Sequence, residues 1–573
     1  MNSLADRIDI ARGLKEANLL LKNARIVSLF SGEVVEADLV VADGIIAGIG
    51  NYSRGEKVYD LKGKYLLPGL IEGHIHIESS LLPPPEFSKV VVPHGTTAIV
   101  ADPHEIANVL GEKGIRYILE SSSTLPLDIW VMVPSCVPAT SMETAGAHLG
   151  PNEIEEMLGW ERTLGLAELM NFPGVLRKAP EVLQKVEVAH RIGKLIDGHS
   201  PGLSGLDLNA YLVAGPSSDH ECISLEEAKE KLRKGMYVMI REGSAAKNLK
   251  DLLPIVNDTN LRRLLLVSDD RHPQDLLTQG HLDHIIRTAI SLGLRPLAAL
   301  TMATLNPAEY FGLKGRGAVA PNYWADMIVV DGLEEFRVEK VFKKGNLVAE
   351  NGEMVTEVSP YPEPGVEKTV HIAPLDAKSF RMQARGGDVR VIELIPGQIL
   401  TRGLRMKPKV RNADIIQDLE RDILKLAVIE RHHASGRIGL GLIKGFGLQG
   451  GALGSSVAHD SHNLIVVGTN DEDMAAAAKA IAEMRGGFVV IAEGKVLAQL
   501  PLPIAGLMSN RPIHDVVGGL SALQEASRSM GCQLENPFIA LSFLALPVIP
   551  ELKLTDRGLF DVLSFSFVGL GEG

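Results

Sequence analysis

A chain of 573 residues with 45% hydrophobic and 23% charged residues is long enough for two or three packed cores and lacks the composition of a disordered polypeptide. Its net charge of −13 and the absence of long Lys/Arg runs speak against a nucleic-acid partner and suit a small neutral ligand. Three widely spaced cysteines, Cys136, Cys222 and Cys532, exclude a disulfide framework and a thiolate zinc site, and point to the reducing cytoplasm.

The N-terminal stretch MNSLADRIDIARGLKEANLL carries acidic residues and no continuous apolar core, so no secretory signal is expected there. No apolar run reaches the ~18 residues a membrane span needs. From Asn18 to Leu70 the runs NARIVSLF, ADLVVADGIIAGIG and GKYLLPGL read as short antiparallel strands between Gly and charged turns. ADMIVVDG, RVEKVFKKGNLVAENG and MVTEV repeat that character between Ala325 and Val358. Residues 1–66 and 318–369 are therefore expected to combine into one small β-sandwich domain.

Between the flanks, TTAIVADP, DIWVMVPS, TLGLAEL, KLIDGH, YVMIREGS and RLLLVSDD alternate with helical patterns, each ending in polar residues. Such spacing indicates parallel βαβ units, about eight of which close a barrel. The expected fold class is α/β, with a (β/α)8 TIM-like barrel over residues 67–317 and the polar strand ends at one rim. After the Pro-rich YPEPG, residues 370–573 are expected to form a C-terminal α+β domain. Its helices are predicted in DIIQDLERDILKLAVIERHH and DEDMAAAAKAIAEMRG, with His432 and His433 capping the first, and its strands in NLIVVGT and GFVVIAEG. The glycines of GFGLQGG lack the strand, helix and acidic partner of a dinucleotide fold.

In GHIHIE, His74 and His76 stand two apart on a predicted strand and share a face. Two imidazoles so placed can grip a divalent ion, although an isolated pair is as often a satisfied surface pair. Further ligand types follow at successive strand ends: Glu168 in GLAEL, His199 in DGHSP, His220 in SDHE and Asp269 in VSDD. Each alone is more often structural; their joint recurrence carries the argument.

This order resembles the amidohydrolase superfamily. Through PGLIEGHIHIESS, VADPHEIANVLG, LAELMNFPGV, DGHSP, SDDRHP and SVAHDSHN it resembles the adenine deaminase family along nearly the whole chain. The resemblance implies two divalent metal ions, Mn2+ or Fe2+ with Zn2+ as the alternative. His74, His76 and Asp269 would hold one, His199 and His220 the other, and Glu168 would bridge them where relatives often use a carboxylated lysine. It further implies attack of hydroxide on C6 of adenine, with Asp269 moving the proton, to give hypoxanthine and ammonia in purine salvage.

Substrate contacts are expected from several other rim residues. Glu78 stands where relatives acting on acidic substrates carry Arg, so it suits an uncharged ligand, a structural salt bridge being the alternative. Asp102, His104 and Glu105 in VADPHE could meet substrate or an extra metal, unless Asp102 caps a helix beginning near His104. Glu242 in IREGS and Asp270 with Arg271 are further candidates, Asp270 orienting Arg271. His459, Asp460 and His462 in AHDSHN either cover the active site or form a hydrogen-bond network between domains. The competing functions are a cyclic amide hydrolase of the same superfamily and a non-catalytic barrel scaffold. Homodimerisation is expected because large barrels often dimerise.

Overall fold

The computed structural model describes residues 2–571. Its centre is a curled parallel sheet of α/β type. The strands Leu70–His76, Thr96–Ala101, Asp128–Val133, Thr163–Leu169 and Leu195–Gly198 pair in chain order, and the short segment Asp269–Asp270 pairs with the free edge of Leu70–His76. A second parallel sheet joins Ser218–Asp219, Tyr237–Arg241 and Leu264–Val267. The last of these strands runs straight into Asp269–Asp270, while Ser217 N–H donates to the Ile196 carbonyl at 3.0 Å.

These runs are strands because both their faces are covered, which favours continuous β-branched and apolar sequence. Every residue of Thr96–Ala101 is buried. Alternation sorts the side chains: Ile71, Ala98, Val100, Met132, Met239, Leu265 and Val267 form one cluster with Phe311. The intervening Ile99, Val131, Leu166, Ile240 and Leu266 join the large core that includes the surrounding helices. Polar residues are thereby left to the strand ends.

The flanks meet where Tyr65–Pro68 pairs antiparallel with Met327–Val330. The layers expected of a sandwich are joined in one nine-stranded sheet, which packs its own apolar cluster of Leu21, Leu39, Leu66, Met327 and Phe342.

The C-terminal region is built on an eight-stranded sheet with the helices Asp471–Glu483 and Ile513–Ser529. The first of these is capped by Asn470, whose side chain accepts from Asp473 N–H, and three acidic residues fill its first turn, favourable against the helix dipole. The other predicted helix is overturned. ILKLAVI is the fully buried strand Ile423–Ile429, and His432 and His433 follow a strand, with His433 N–H bonded to Glu430 at 2.7 Å. A central strand covered on both faces shows no polar alternation, and buried Lys425 mimics a helix's solvent face. Its ammonium is satisfied by Asp471 at 2.8 Å and by the Phe380 carbonyl at 2.9 Å.

Candidate metal centre

The strand Leu70–His76 is buried throughout and sets His74 and His76 side by side, their rings 5.0 Å apart. Glu72 accepts the His74 backbone N–H at 3.0 Å. His76 Nδ1 lies 2.9 Å from the Asp102 carbonyl. Because a carbonyl only accepts, that contact places the proton on Nδ1 and leaves the Nε2 lone pair facing inward.

What Nε2 faces is Glu168, buried at the end of Thr163–Leu169. One carboxylate oxygen, Oε1, lies 3.3 Å from His74 Nε2 and 3.1 Å from His76 Nε2. The other, Oε2, lies 2.7 Å from His199 Nδ1 and 3.5 Å from His220 Nε2. Asp269 Oδ1 completes the first group at 3.2 Å from His76 and 3.7 Å from His74. Ligands about 2.1 Å from a common ion stand about 3.0–3.4 Å apart, and most of these separations fall close to that range.

His74 Nε2 and Glu168 Oε1 are buried without any hydrogen-bond partner. Each would cost about 1–3 kcal/mol if left so, a cost that a shared cation removes. The donor set therefore fits divalent metal. Burial alone would raise the Glu168 carboxyl, but His220 and the neighbouring His199, His74 and His76 hold it well below the usual range. Asp269 is likewise held down against burial by His76 and Arg241.

Two residues not singled out from sequence belong to this cluster. Glu221, beside His220, brings Oε1 within 3.4 Å of His220 Nε2 and 3.8 Å of His199 Nδ1. Arg241, at the end of Tyr237–Arg241, donates to Asp269 Oδ2 at 2.7 Å and to both Glu221 oxygens, the Nη2 bond being 2.8 Å. Both lie inside SDHE and IREGS, so position at a strand end was the available signal.

A cavity of about 550 Å3 is lined by Glu78, Glu105, Asp270, His459, Phe538 and Phe543 among others. Glu78 makes no salt bridge: Oε1 accepts Ile106 N–H at 3.0 Å, Oε2 has no partner, and burial lifts its carboxyl to about 7. Asp102 does not cap the helix His104–Leu110, which follows Pro103 with no side-chain cap. Its Oδ2 instead lies 3.4 Å from His104 Nδ1, and Oδ1 is unpartnered.

The C-terminal histidines reach this rim. Glu105 binds His459 Nδ1 at 2.6 Å through one oxygen and His462 Nε2 through the other, and His459 stacks on Phe543 with ring centres 4.6 Å apart. The 2.6 Å separation is a hydrogen-bond distance, as is the 2.7 Å between His199 Nδ1 and Glu168 Oε2. Asp460 is buried next to them, its carboxyl pushed up to about 6 by burial and by Glu105.

The remaining candidates lie apart from the metal-type donors. Glu242 is half-buried and accepts Leu249 N–H at 3.3 Å, closing its own turn. Asp270 accepts the Ser79 hydroxyl and does not orient Arg271. Successive side chains diverge here, and Arg271 donates to Gln279 Oε1 at 3.0 Å and the Gly280 carbonyl at 3.2 Å.

The chain matches the amidohydrolase family over residues 65–348 and the adenine deaminase C-terminal domain family over residues 398–566. It is 50% identical to a protein named adenine deaminase from Dehalococcoides mccartyi and 50% identical to one named adenine deaminase 2 from Carboxydothermus hydrogenoformans. In each case 99% of both chains is covered. Among solved structures, enamidase, described as an amidohydrolase superfamily member, is similar with a TM-score of 0.45 at 18% identity, covering 60% of this chain and 98% of that one. No helix among the described residues is long and apolar enough to cross a membrane.

Proposed function

The chain belongs to the adenine deaminase family, and on that premise we propose that it hydrolyses adenine to hypoxanthine and ammonia, a step of purine salvage. The observation that carries the reading is Glu168, which turns one oxygen to His74 and His76 and the other to His199 and His220. The two parallel sheets are read as one (β/α)8 barrel over residues 67–317, because Leu264–Val267 continues into the segment paired with Leu70–His76. Residues 1–66 and 318–369 then form the small β domain, and residues 370–573 the C-terminal one.

In this reading His74, His76 and Asp269 would hold one divalent ion, His199 and His220 a second, and Glu168 both. Manganese or iron is proposed, with zinc as the alternative, since imidazole and carboxylate donors suit all three. When bound, the ions would supply hydroxide near neutral pH. Asp269 accepts the proton of the attacking water and delivers it to the exocyclic nitrogen. A C6–O bond forms, the C6–N bond breaks, and ammonia departs.

The remaining residues recognise the base and exclude water. Oε2 of Glu78, buried without a partner, is the acceptor for a purine N–H. His459, Asp460 and His462 belong to the segment that covers the site, with His459 and Phe543 offering a stacked aromatic wall for a planar heterocycle. The test is ammonia release from adenine, beside adenosine and a hydantoin, by protein reconstituted with manganese or iron. Turnover of adenine that disappears in His74→Ala supports the proposal. Full metal occupancy without adenine turnover sinks it.

A further inference from the structure

Arg241 is a buried cation among the carboxylates at the strand ends. It donates from all three guanidinium nitrogens: Nε to Asn248 Oδ1 at 2.9 Å, Nη1 to Asp269 Oδ2 at 2.7 Å and to Glu221, and Nη2 to Glu221 Oε2 at 2.8 Å. It thus ties the residue after His220 to the carboxylate at the end of Leu264–Val267. Such a cation beside a centre suited to divalent ions is electrostatically unfavourable unless carboxylates flank it. Placing it there costs something that mere strand cohesion does not require.

What the arrangement provides is orientation. A carboxylate turns readily about its last torsion, and Asp269 sits in the left-handed backbone region at φ 57°, uncommon for a residue with a side chain. With Oδ2 pinned by Arg241, Oδ1 is left facing His76 at 3.2 Å. Glu221 anchors the other prong of the fork, and the Arg241 carbonyl accepts Asn248 N–H at 3.0 Å, so the guanidinium itself is fixed. Lysine cannot reproduce this, because one ammonium cannot span both carboxylates with planar, paired bonds.

We propose that Arg241 is a positioning residue for the deamination: by clamping Glu221 and Asp269 together it aims the Asp269 carboxylate at the reacting water. The proposal rests on the adenine deaminase reading and on Asp269 as proton carrier. It assigns the transition-state cost of misalignment to a side chain that touches neither substrate nor the reacting atoms.

The test compares wild type, Arg241→Lys and Arg241→Met, each reconstituted with cobalt(II). Metal content, the visible absorption of the cobalt centre, kcat and KM for adenine are measured. The expected result is full metal content in Arg241→Lys, a shifted cobalt band, a kcat lower by about 10- to 100-fold, and a KM within about twofold. Arg241→Met, which also strands two buried carboxylates, should show the same band shift with lower thermal stability. A wild-type kcat in Arg241→Lys overturns the proposal, as does a fall in kcat matched by an equal loss of metal. The cobalt band needs no substrate. If wild type fails to release ammonia from adenine, the functional reading falls, and an unchanged band in both variants would then overturn the positioning role by itself.

Discussion

Lys231→Met should unfold the support beneath the second histidine pair. Lys231 is fully buried, with its ammonium 3.1 Å from Asp219, 2.8 Å from Glu227 and 2.8 Å from the Ser200 carbonyl. Asp219 Oδ2 in turn accepts Ser200 N–H at 2.8 Å and its hydroxyl at 2.6 Å, while Oδ1 accepts Glu221 N–H at 2.8 Å. These bonds fix the residues adjoining His199 and His220. Removing one partner of a buried charge pair costs about 3–5 kcal/mol; the three remaining hydrogen bonds to Asp219 place this case near the lower end, about 3 kcal/mol. Adding Asp219→Asn removes the stranded charge, so the double variant should regain about 1–3 kcal/mol. The assay is urea unfolding of the metal-free proteins, followed by metal titration, in which the second equivalent should bind about 10- to 100-fold more weakly to Lys231→Met. A single variant as stable as wild type, or no recovery in the double variant, would refute the reasoning.

Glu168→Gln should lose affinity for both metal equivalents and about 10³-fold in kcat, several kcal/mol of lost electrostatic support; metal analysis showing full occupancy would contradict the bridging role. Phe543→Leu removes the partner stacked on His459 and should raise KM for adenine by roughly 2- to 10-fold at unchanged kcat, the worth of one aromatic pair, which steady-state kinetics can check. Burial holds the His432 imidazole down to about 3, from an ordinary 6.5. The unfolded chain therefore gains a proton between those values before the folded chain does. Stability from this group is flat above pH 6.5 and falls as pH drops through the window, by about 2 kcal/mol near pH 5. His432→Gln can keep a donor toward the Ser461 carbonyl, 2.7 Å from His432 Nε2, without titrating, so its melting midpoint should depend less on acid; parallel curves for the two proteins would count against the assignment.

The parallel strands were legible because they are short, apolar and closed by turn residues, and the runs read from YVMIREGS and RLLLVSDD coincide with Tyr237–Arg241 and Leu264–Val267. The residues that gather around Glu168 were legible for the same reason: each stands at or beside the end of a parallel strand. What failed depended on contacts distant in sequence. Ile423–Ile429 was read as helix because a strand covered on both faces has no period of two. Arg241 and Glu242 are neighbours in one motif, yet the first reaches Asp269 and Glu221 while the second closes a turn. Local composition holds no record of which way each side chain points. Arg271 escaped in the same way, since its partners Gln279 and Gly280 lie eight and nine residues on.

Two clusters of acidic and imidazole groups that composition makes look alike differ in whether buried donor atoms are left without a partner. Around Glu168 Oε1 the histidine nitrogens stand at 3.1 and 3.3 Å and one donor atom of each type is left unpartnered, the signature of groups that share a third party. Around Glu105 the His459 nitrogen stands at 2.6 Å and both oxygens are engaged, so the pairs satisfy one another. Glu105 is committed through both oxygens to His459 and His462. Its role is to dock the C-terminal segment onto the rim and hold His459 against Phe543. Glu78, with one oxygen fixed by Ile106 and the other free, is an acidic residue on the cavity wall. The AHDSHN segment meets the rim through Glu105, while His74, His76, Glu168, His199, His220 and Asp269 stand at or beside the ends of the parallel strands.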